Sequence, residues 1–265
     1  MTHMPGNRHT LSVVGAILLP LLLISIWQWW SLSLPANSAA PVPSKVAISF
    51  IEMIKAGELL NATFQSLSRV LLGFCLAAVL GISLGLLMGS IPAVRESLDP
   101  IVESFRPIAP MAILPIAILW FGTGTPTALA IVGYASFFPV LINTIHGVSR
   151  VDRKLVLAAK TMDISQTRIL FRVIFPGALP FIILGSRLAM GVAWTAIIAA
   201  ELAVGAKSGG GTSGGIGQMM FVFFAYNSDL NAIVVCMVVV GLVALLIDKL
   251  FRFAERILTP WRNQS

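Results

Sequence analysis

Few residues in this 265-residue chain are of the types that perform chemistry, and their spacing assembles no catalytic site. The three histidines, His3, His9 and His146, have no metal-ligand spacing. Cys75 and Cys236 each lie inside an apolar run, without the paired spacing of a metal or redox site. No Ser–His–Asp set or pair of catalytic carboxylates can be drawn. The sequence therefore predicts no catalytic residue, no metal and no cofactor.

One segment is close in composition to a phosphate-binding loop. The run Gly205-Ala206-Lys207-Ser208 begins the Gly-rich stretch "GAKSGGGTSGGIG". A phosphate-binding loop needs glycine directly before the lysine, and a strand before the loop. Ala206 occupies that glycine position here. We interpret the stretch as a flexible loop between two apolar segments.

The composition indicates a membrane protein. Charged residues make up 11% of the chain and hydrophobic residues 57%, and the mean hydropathy is +0.91. Soluble domains have roughly 25% charged residues. The net charge of +7 does not indicate nucleic-acid binding, because the basic residues lie in short segments between apolar runs.

Six apolar segments are candidates to cross a bilayer, which takes roughly 20 mostly apolar residues. They are 11–30, 68–89, 107–121, 127–148, 181–204 and 232–251. A cleaved signal peptide is the alternative for the first, but this run is longer than usual and ends in the tryptophan cluster typical of a membrane interface. Residues 46–60 are predicted to form a short amphipathic helix at the surface.

Glycines and prolines give the predicted spans specific features. Gly81, Gly85 and Gly89 are four residues apart, so we expect them to line one helix face and admit another helix closely. Pro110 and Pro115 are expected to interrupt the third span, which places it beside a translocation path. We divide the chain into an N-terminal part, 1–60, and a core of five spans, 61–262.

The distribution of basic residues predicts the orientation. With the N-terminus inside, thirteen of the eighteen Lys and Arg residues lie in inner segments and three in outer ones. Such a bias marks the cytoplasmic side. Both termini and the basic segment 150–178 are therefore expected in the cytoplasm, and the Gly-rich loop outside.

The basic segment reads as a compact pair of helices. Residues 153–161 are expected to form one helix, and Ser165 to cap a second that ends before Pro176. Asp163 is placed at a turn that requires a left-handed residue. Met162, Ile164, Leu170 and Phe171 supply apolar surface. A loop that only fixes topology is the alternative, but the caps, turn and stop favour a surface that binds a partner.

This segment resembles the cytoplasmic loop of permease subunits of bacterial ABC importers. The family pattern is Glu-Ala-Ala, three residues, Gly, nine residues, then Ile-x-Leu-Pro. Ala158, Ala159 and Pro176 match it, whereas Leu157 replaces the Glu and Asp163 the Gly. The stretches "RPIAPMAILPIAILWFGTGT", "FFPVLINTIHGV" and "LTPW" are similar to permeases for nitrate, sulfonates, taurine and bicarbonate.

The resemblance implies an all-α, polytopic permease of the type I ABC importer fold, with six transmembrane helices and a cytoplasmic coupling hook. It implies two ATP-binding subunits, a second permease subunit forming a homodimer, an extracytoplasmic solute-binding protein and a location in the bacterial inner membrane. The ATP-binding subunit is expected to dock on the following residues: Ala158, Ala159, Met162, Asp163, Ile164, Arg168, Leu170, Phe171, Ile174 and Pro176.

The residues of a translocation path are predicted from the few polar groups at membrane depth. Arg187, Trp194 and Glu201 are seven residues apart, so they share one stripe of a helix. The stripe either lines the path, together with Pro110 and Pro115, or pairs with charges on other helices. An ion-coupled secondary transporter is the second candidate function, although neither midplane acids nor an internal repeat is visible. A membrane-embedded enzyme is the third, and it lacks a catalytic constellation.

Overall fold

The computed structural model describes residues 7–35, 40–205 and 214–259, and every regular element in these ranges is helical. The helices, numbered in chain order, are α1 (Asn7–Ser33), α2 (Pro43–Lys55), α3 (Glu58–Ser90), α4 (Pro92–Phe105), α5 (Pro110–Phe121), α6 (Thr125–Ser149), α7 (Arg153–Thr161), α8 (Gln166–Ile169), α9 (Phe175–Gly205), α10 (Ile216–Val222) and α11 (Leu230–Leu258). Two π-helical turns, Leu170–Ile174 and Phe223–Asn227, complete the set.

Four helices in the described ranges are long and apolar enough to cross a membrane. They are Glu58–Ser90, Thr125–Ser149, Gln166–Val204 and Leu230–Leu258. The pair α4 and α5 passes the same test as one span bent by 92°, and the apolar part of α1, Leu18–Ser33, is shorter. An all-α, multi-pass architecture is therefore confirmed, whereas the predicted number of six spans stays a prediction.

Helices α3, α6 and α9 form the centre of the bundle. A Cβ added at Gly85 would lie 2.6 Å from the Cβ of Thr144, and one added at Gly89 would lie 2.6 Å from that of Val148. Close contact of backbones is how membrane helices gain dispersion energy where lipid offers no hydrophobic driving force. The predicted role of the α3 glycines is confirmed.

A second layer packs α2 and α10 against α11. Met53, Leu59, Ile216, Val235 and Cys236 form one buried cluster there. The N-terminal part thus shares a core with the last span. The predicted boundary near residue 60 stays a prediction of chain organisation.

The boundary between the predicted surface helix and the second span was wrong. Helix α2 ends at Lys55, Gly57 adopts a left-handed conformation (φ 75°), and α3 already begins at Glu58. Glycine adopts positive φ without steric cost and so separates two helices within three residues. The predicted helix 46–60 therefore spans parts of two elements.

The prediction that Pro115 interrupts the third span was also wrong. Helix α5 runs without a break through Pro115, and Pro110 stands at its first turn. A proline in the first turn needs no backbone donor, and one in the second turn can lose only one hydrogen bond. The bend lies before Pro110, between α4 and α5.

Candidate functional site: the helical hook and the polar contacts of α9

The hook, residues 150–178, is built around one left-handed residue. Asp163 has φ 55°, one of two positive-φ residues other than glycine in the described ranges. The Asp163 N–H donates to the Lys160 carbonyl (3.1 Å), and the Ile164 N–H donates to the Ala159 carbonyl (3.2 Å). These two bonds define a Schellman motif, which satisfies the last carbonyls of α7. The predicted turn at Asp163 is confirmed.

The helices of the hook are capped differently from the prediction, which named only Ser165. Asp152 accepts a hydrogen bond from the Lys154 N–H (2.8 Å) and caps the start of α7. Ser165 stands at the N-cap position of α8, but its side chain makes no capping hydrogen bond. The turn therefore depends on the backbone of Asp163 and Ile164 and not on the Ser165 hydroxyl.

The prediction that Pro176 ends the second helix was wrong. Helix α8, the π turn Leu170–Ile174 and α9 form one apolar helical segment from Gln166 to Val204. In a π turn the hydrogen bonds run to the fifth residue, so the spacing of donors and acceptors changes ahead of a proline that has no N–H. The hook thus continues directly into a membrane span.

Part of the hook's apolar surface is used to seat it on the bundle. Ile169 is 1% exposed. Leu170 and Ile174 pack against the buried residues Val148 and Ile182 of α6 and α9. Leu170 and Ile174 were predicted to contact a partner subunit; this stays a prediction, and the structure shows that both also pack against the chain's own core.

Another part of the hook has no cover within the chain. Met162 is 74% exposed and Phe171 is 61% exposed. Met162 lines an open groove of about 590 Å³ between α7 and the start of α9, and Phe171 directly precedes the groove-lining residue Arg172. The groove is lined by Leu155, Ala158, Ala159, Met162, Ile164, Arg172, Val173, Pro176 and Gly177.

The hook is basic, and one of its basic residues, Arg172, lines the groove. Arg153, Lys154, Lys160, Arg168 and Arg172 are all exposed. Within the described ranges no acidic residue forms an ion pair with any of them. The hook therefore presents exposed apolar side chains together with positive charge, which suits a partner with an apolar projection and acidic residues.

The predicted stripe on α9 is engaged in contacts with neighbouring helices. The Arg187 Nε donates to Asp248 on α11 (2.6 Å), and Arg252 bonds the other oxygen of the same carboxylate (2.8 Å). The indole Nε1 of Trp194 donates to the Val240 carbonyl (3.1 Å). Of the two alternatives left open by the sequence, these contacts correspond to pairing with other helices.

Glu201 is the centre of a buried polar cluster. It is 5% exposed, and its carboxylate accepts hydrogen bonds from Ser66 Oγ (2.6 Å), Arg69 Nη1 (2.8 Å) and the Gly217 N–H (3.1 Å). The Ser66 hydroxyl also accepts from the Ile216 N–H (2.9 Å). A buried carboxylate that is paired and fully hydrogen-bonded is tolerated. This one joins α3, α9 and α10.

Sequence reasoning missed Ser66 and the glycines that complete this cluster. A Cβ on Gly215 would lie 2.1 Å from Glu201 Oε1, and one on Gly217 would lie 2.4 Å from the Ile198 carbonyl. Residues 206–213 of the Gly-rich loop, including Lys207 and Ser208, lie outside the described residues. The signal was in the sequence, since glycines continue to position 217, but it was interpreted only as flexibility.

Comparisons with known proteins match this architecture. Residues 77–264 match the family model described as a binding-protein-dependent transport system inner membrane component. The taurine transport system permease protein TauC of Escherichia coli is 32% identical, with 98% of this chain and 93% of that protein covered. The nitrate import permease protein NrtB of a Synechocystis strain is 36% identical, with 74% of this chain and 69% of that protein covered.

The solved structures agree on the fold. The permease chain of the methionine ABC transporter MetNI, in an inward-facing conformation, superimposes with a TM-score of 0.64 at 18% identity. The match covers 77% of this chain and 98% of that chain. Since the family model covers more than half of the chain, the protein belongs to the family of binding-protein-dependent transport system inner membrane components, with the fold of type I ABC importer permeases.

Proposed function

We propose that this permease forms a homodimer, docks two ATP-binding subunits on its hook and imports a small anion delivered by an extracytoplasmic solute-binding protein. The observation that supports docking most directly is the uncovered groove lined by Met162, together with the exposed side chain of Phe171. In this arrangement the hook and both termini are cytoplasmic, and the Gly-rich loop faces outward.

The groove provides the free energy for docking. Burying one large apolar side chain contributes roughly 1.5–3 kcal/mol. Met162 and Phe171 are both mostly exposed. Covering them with a projection of the ATP-binding subunit would therefore contribute more binding free energy than the solvent-screened basic residues of the hook. Ala158, Ala159 and Ile164 line the groove, whereas Leu170 and Ile174 keep the hook on the bundle.

The hook's continuity with α9 gives a route for coupling. ATP binding moves the docked subunit, and the helix Gln166–Val204 carries that displacement into the bundle without an intervening loop. Allosteric coupling requires two states that each ligand stabilises differently. The ATP-binding subunit would bias the hook end, and the solute-binding protein the opposite end near α10.

The substrate class follows from the relatives. TauC and NrtB are named for taurine and nitrate, and the bicarbonate transport permease CmpB of Synechocystis is 35% identical over 75% of this chain. All three solutes carry a small oxyanionic group. Pro110 and Pro115 on α5, with Arg187, Trp194 and Glu201 on α9, remain the proposed path elements, and their contacts suit them to fixing the helices that border it.

The experiment is copurification of the ATP-binding subunit with a tagged permease. Met162→Asp combined with Phe171→Asp should reduce the recovered ATP-binding subunit by about tenfold or more, because two buried apolar contacts are lost. Ile257→Asp is the matched control, since Ile257 is equally exposed near the end of α11 and lies outside the hook. Full recovery with the hook variant at normal membrane abundance would contradict the docking proposal.

A further inference from the structure

A cavity of about 360 Å³ opens between the α4–α5 bend, α6 and α9. Its polar lining residues are Arg106, Tyr134 and Asn143, and the rest are apolar or proline, including Pro110 at the start of α5. Ligand sites commonly combine such an apolar wall with a few placed polar groups, in cavities of roughly 300–1,000 Å³.

The helices that form the cavity place it within the membrane. Tyr134 is the tenth residue of the 25-residue α6. Leu188 and Val192 line the opposite wall and lie near the middle of the 31-residue α9. The bend itself belongs to the pair α4 and α5, which together qualify as one span. Arg106, which is itself exposed, therefore lines a cavity at the mid-length of α6 and α9.

Arg106 differs from Arg69 on α3 and Arg187 on α9. Arg69 is paired with Glu201, and Arg187 with Asp248. Arg106 forms no ion pair with any residue in the described ranges, and no carboxylate is among the residues that line the cavity. A charge at membrane depth is costly unless it is compensated or faces a water-filled path. A ligand of negative charge would supply the compensation.

Neighbouring hydrogen bonds fix the geometry around this arginine. The Tyr134 hydroxyl donates to the Phe105 carbonyl (2.6 Å), which holds the residue directly before Arg106. Asn143 Nδ2 donates to the Pro139 carbonyl (2.8 Å). An amide nitrogen has two hydrogens, so a second donor remains on Asn143 for a ligand. The guanidinium fork matches two oxygens of a planar or tetrahedral oxyanion.

We propose that this cavity is an oxyanion-binding site on the transport path, an inference that rests on the proposed anion import. Arg106 supplies the charge and a bidentate contact, Asn143 supplies a further donor, and Tyr134 is a positioning residue. Arg187 and Glu201, predicted for the path from sequence, are paired with Asp248 and Arg69, respectively.

The test measures the electrostatic preference of the cavity with charged thiol reagents. Ile142, which lines the cavity, is replaced by cysteine in the complete transporter after Cys75→Ser and Cys236→Ala. Its reaction rates with 2-sulfonatoethyl and 2-trimethylammonioethyl methanethiosulfonate are each divided by the rate for a free thiol. The anionic reagent should be favoured, and Arg106→Gln should lower that ratio by about tenfold.

Two further variants and a lipid comparison separate the alternatives. Arg106→Lys should keep the preference, and so should Arg95→Gln, since Arg95 pairs with Asp99 on α4 and does not line the cavity. The inference is overturned if the wild-type cavity shows no anion preference or if Arg106→Gln leaves it unchanged. It is also overturned if adding anionic lipid to zwitterionic nanodiscs abolishes the preference, since Arg106 would then bind a lipid phosphate.

Uptake by proteoliposomes distinguishes this inference from the proposed function. Nitrate, taurine and bicarbonate are the probes. Their uptake is compared between vesicles with ATP inside the lumen and vesicles with ATP outside it. Arg106→Gln should raise the KM for the transported probe about tenfold. An anion-selective cavity without ATP-driven uptake would refute the proposed import function and support the oxyanion-binding site. Uptake with an unchanged KM in the Arg106→Gln complex would refute the oxyanion-binding site and support the proposed import function.

Discussion

At the scale of single residues, Asp163 shows how one backbone conformation shapes the proposed docking surface. Its φ of 55° is a conformation that glycine adopts freely and a β-branched residue resists, at a cost of about 1–2 kcal/mol. We expect Asp163→Gly to support normal ATPase stimulation in the assembled complex. Asp163→Val should reduce stimulation because strain displaces Met162 and the groove.

The measurement is transport-stimulated ATP hydrolysis, with the permease abundance in the membrane followed in parallel. If Asp163→Val is fully active at normal abundance, the turn does not control docking. If Asp163→Gly is as defective as Asp163→Val, the carboxylate itself contacts the partner, and the conformation is secondary.

Glu201 allows a second prediction at this scale. Glu201→Ala leaves Arg69 buried without its carboxylate and removes the acceptor of Ser66 and Gly217. Removing one partner of a buried pair typically costs about 3–5 kcal/mol. Thermal unfolding of the solubilised permease should therefore occur at a clearly lower temperature. Asp99→Ala, which breaks an exposed pair with Arg95, is the control and should change little. Equal stability of both variants would contradict the importance of the cluster.

At the scale of elements, the contact between α3 and α6 depends on the absence of side chains. A methyl group at Gly85 would overlap Thr144, and overpacking of this kind costs typically 1–3 kcal/mol. We expect Gly85→Ala to lower the unfolding temperature. Gly241→Ala on α11 is the matched control, because no atom lies within 4 Å of its added Cβ. Equal unfolding temperatures of the two variants would show that α6 can move away from the added methyl group without loss of stability.

The elements also show how much the sequence could predict. Apolar length and glycine spacing identified α3, α6, α9 and α11, because lipid imposes those signals on each helix separately. The turn at Asp163 was predicted correctly because a left-handed backbone conformation depends on the residue type at that position. The continuation through Pro176 and the Glu201 cluster were not found, since each depends on contacts between residues far apart in the chain. Neither the π turn nor Ser66 has a local sequence signal.

At the scale of the whole molecule, the central expectation is its sidedness. Arg168→Cys and Thr212→Cys are introduced separately into a variant without native cysteines and treated in intact cells with a membrane-impermeant thiol reagent. We expect labelling of Thr212→Cys alone, because the excess of basic residues keeps the hook inside. Thr212 lies outside the described residues, so this experiment also locates the Gly-rich loop. Labelling of Arg168→Cys alone would reverse the orientation.

The π turn between the hook and α9 sets the rotational orientation of the hook about the axis of α9. Each residue of an α-helix turns the chain by about 100°, and a π turn accommodates one extra residue without unwinding its neighbours. Removing one residue from Leu170–Ile174 would therefore rotate the hook by about a quarter turn about the axis of α9. Its groove would then point away from the proposed docking position of the ATP-binding subunit, while the intramembrane packing of α9 stayed in register. One residue of the π turn therefore determines the direction in which the hook projects from α9.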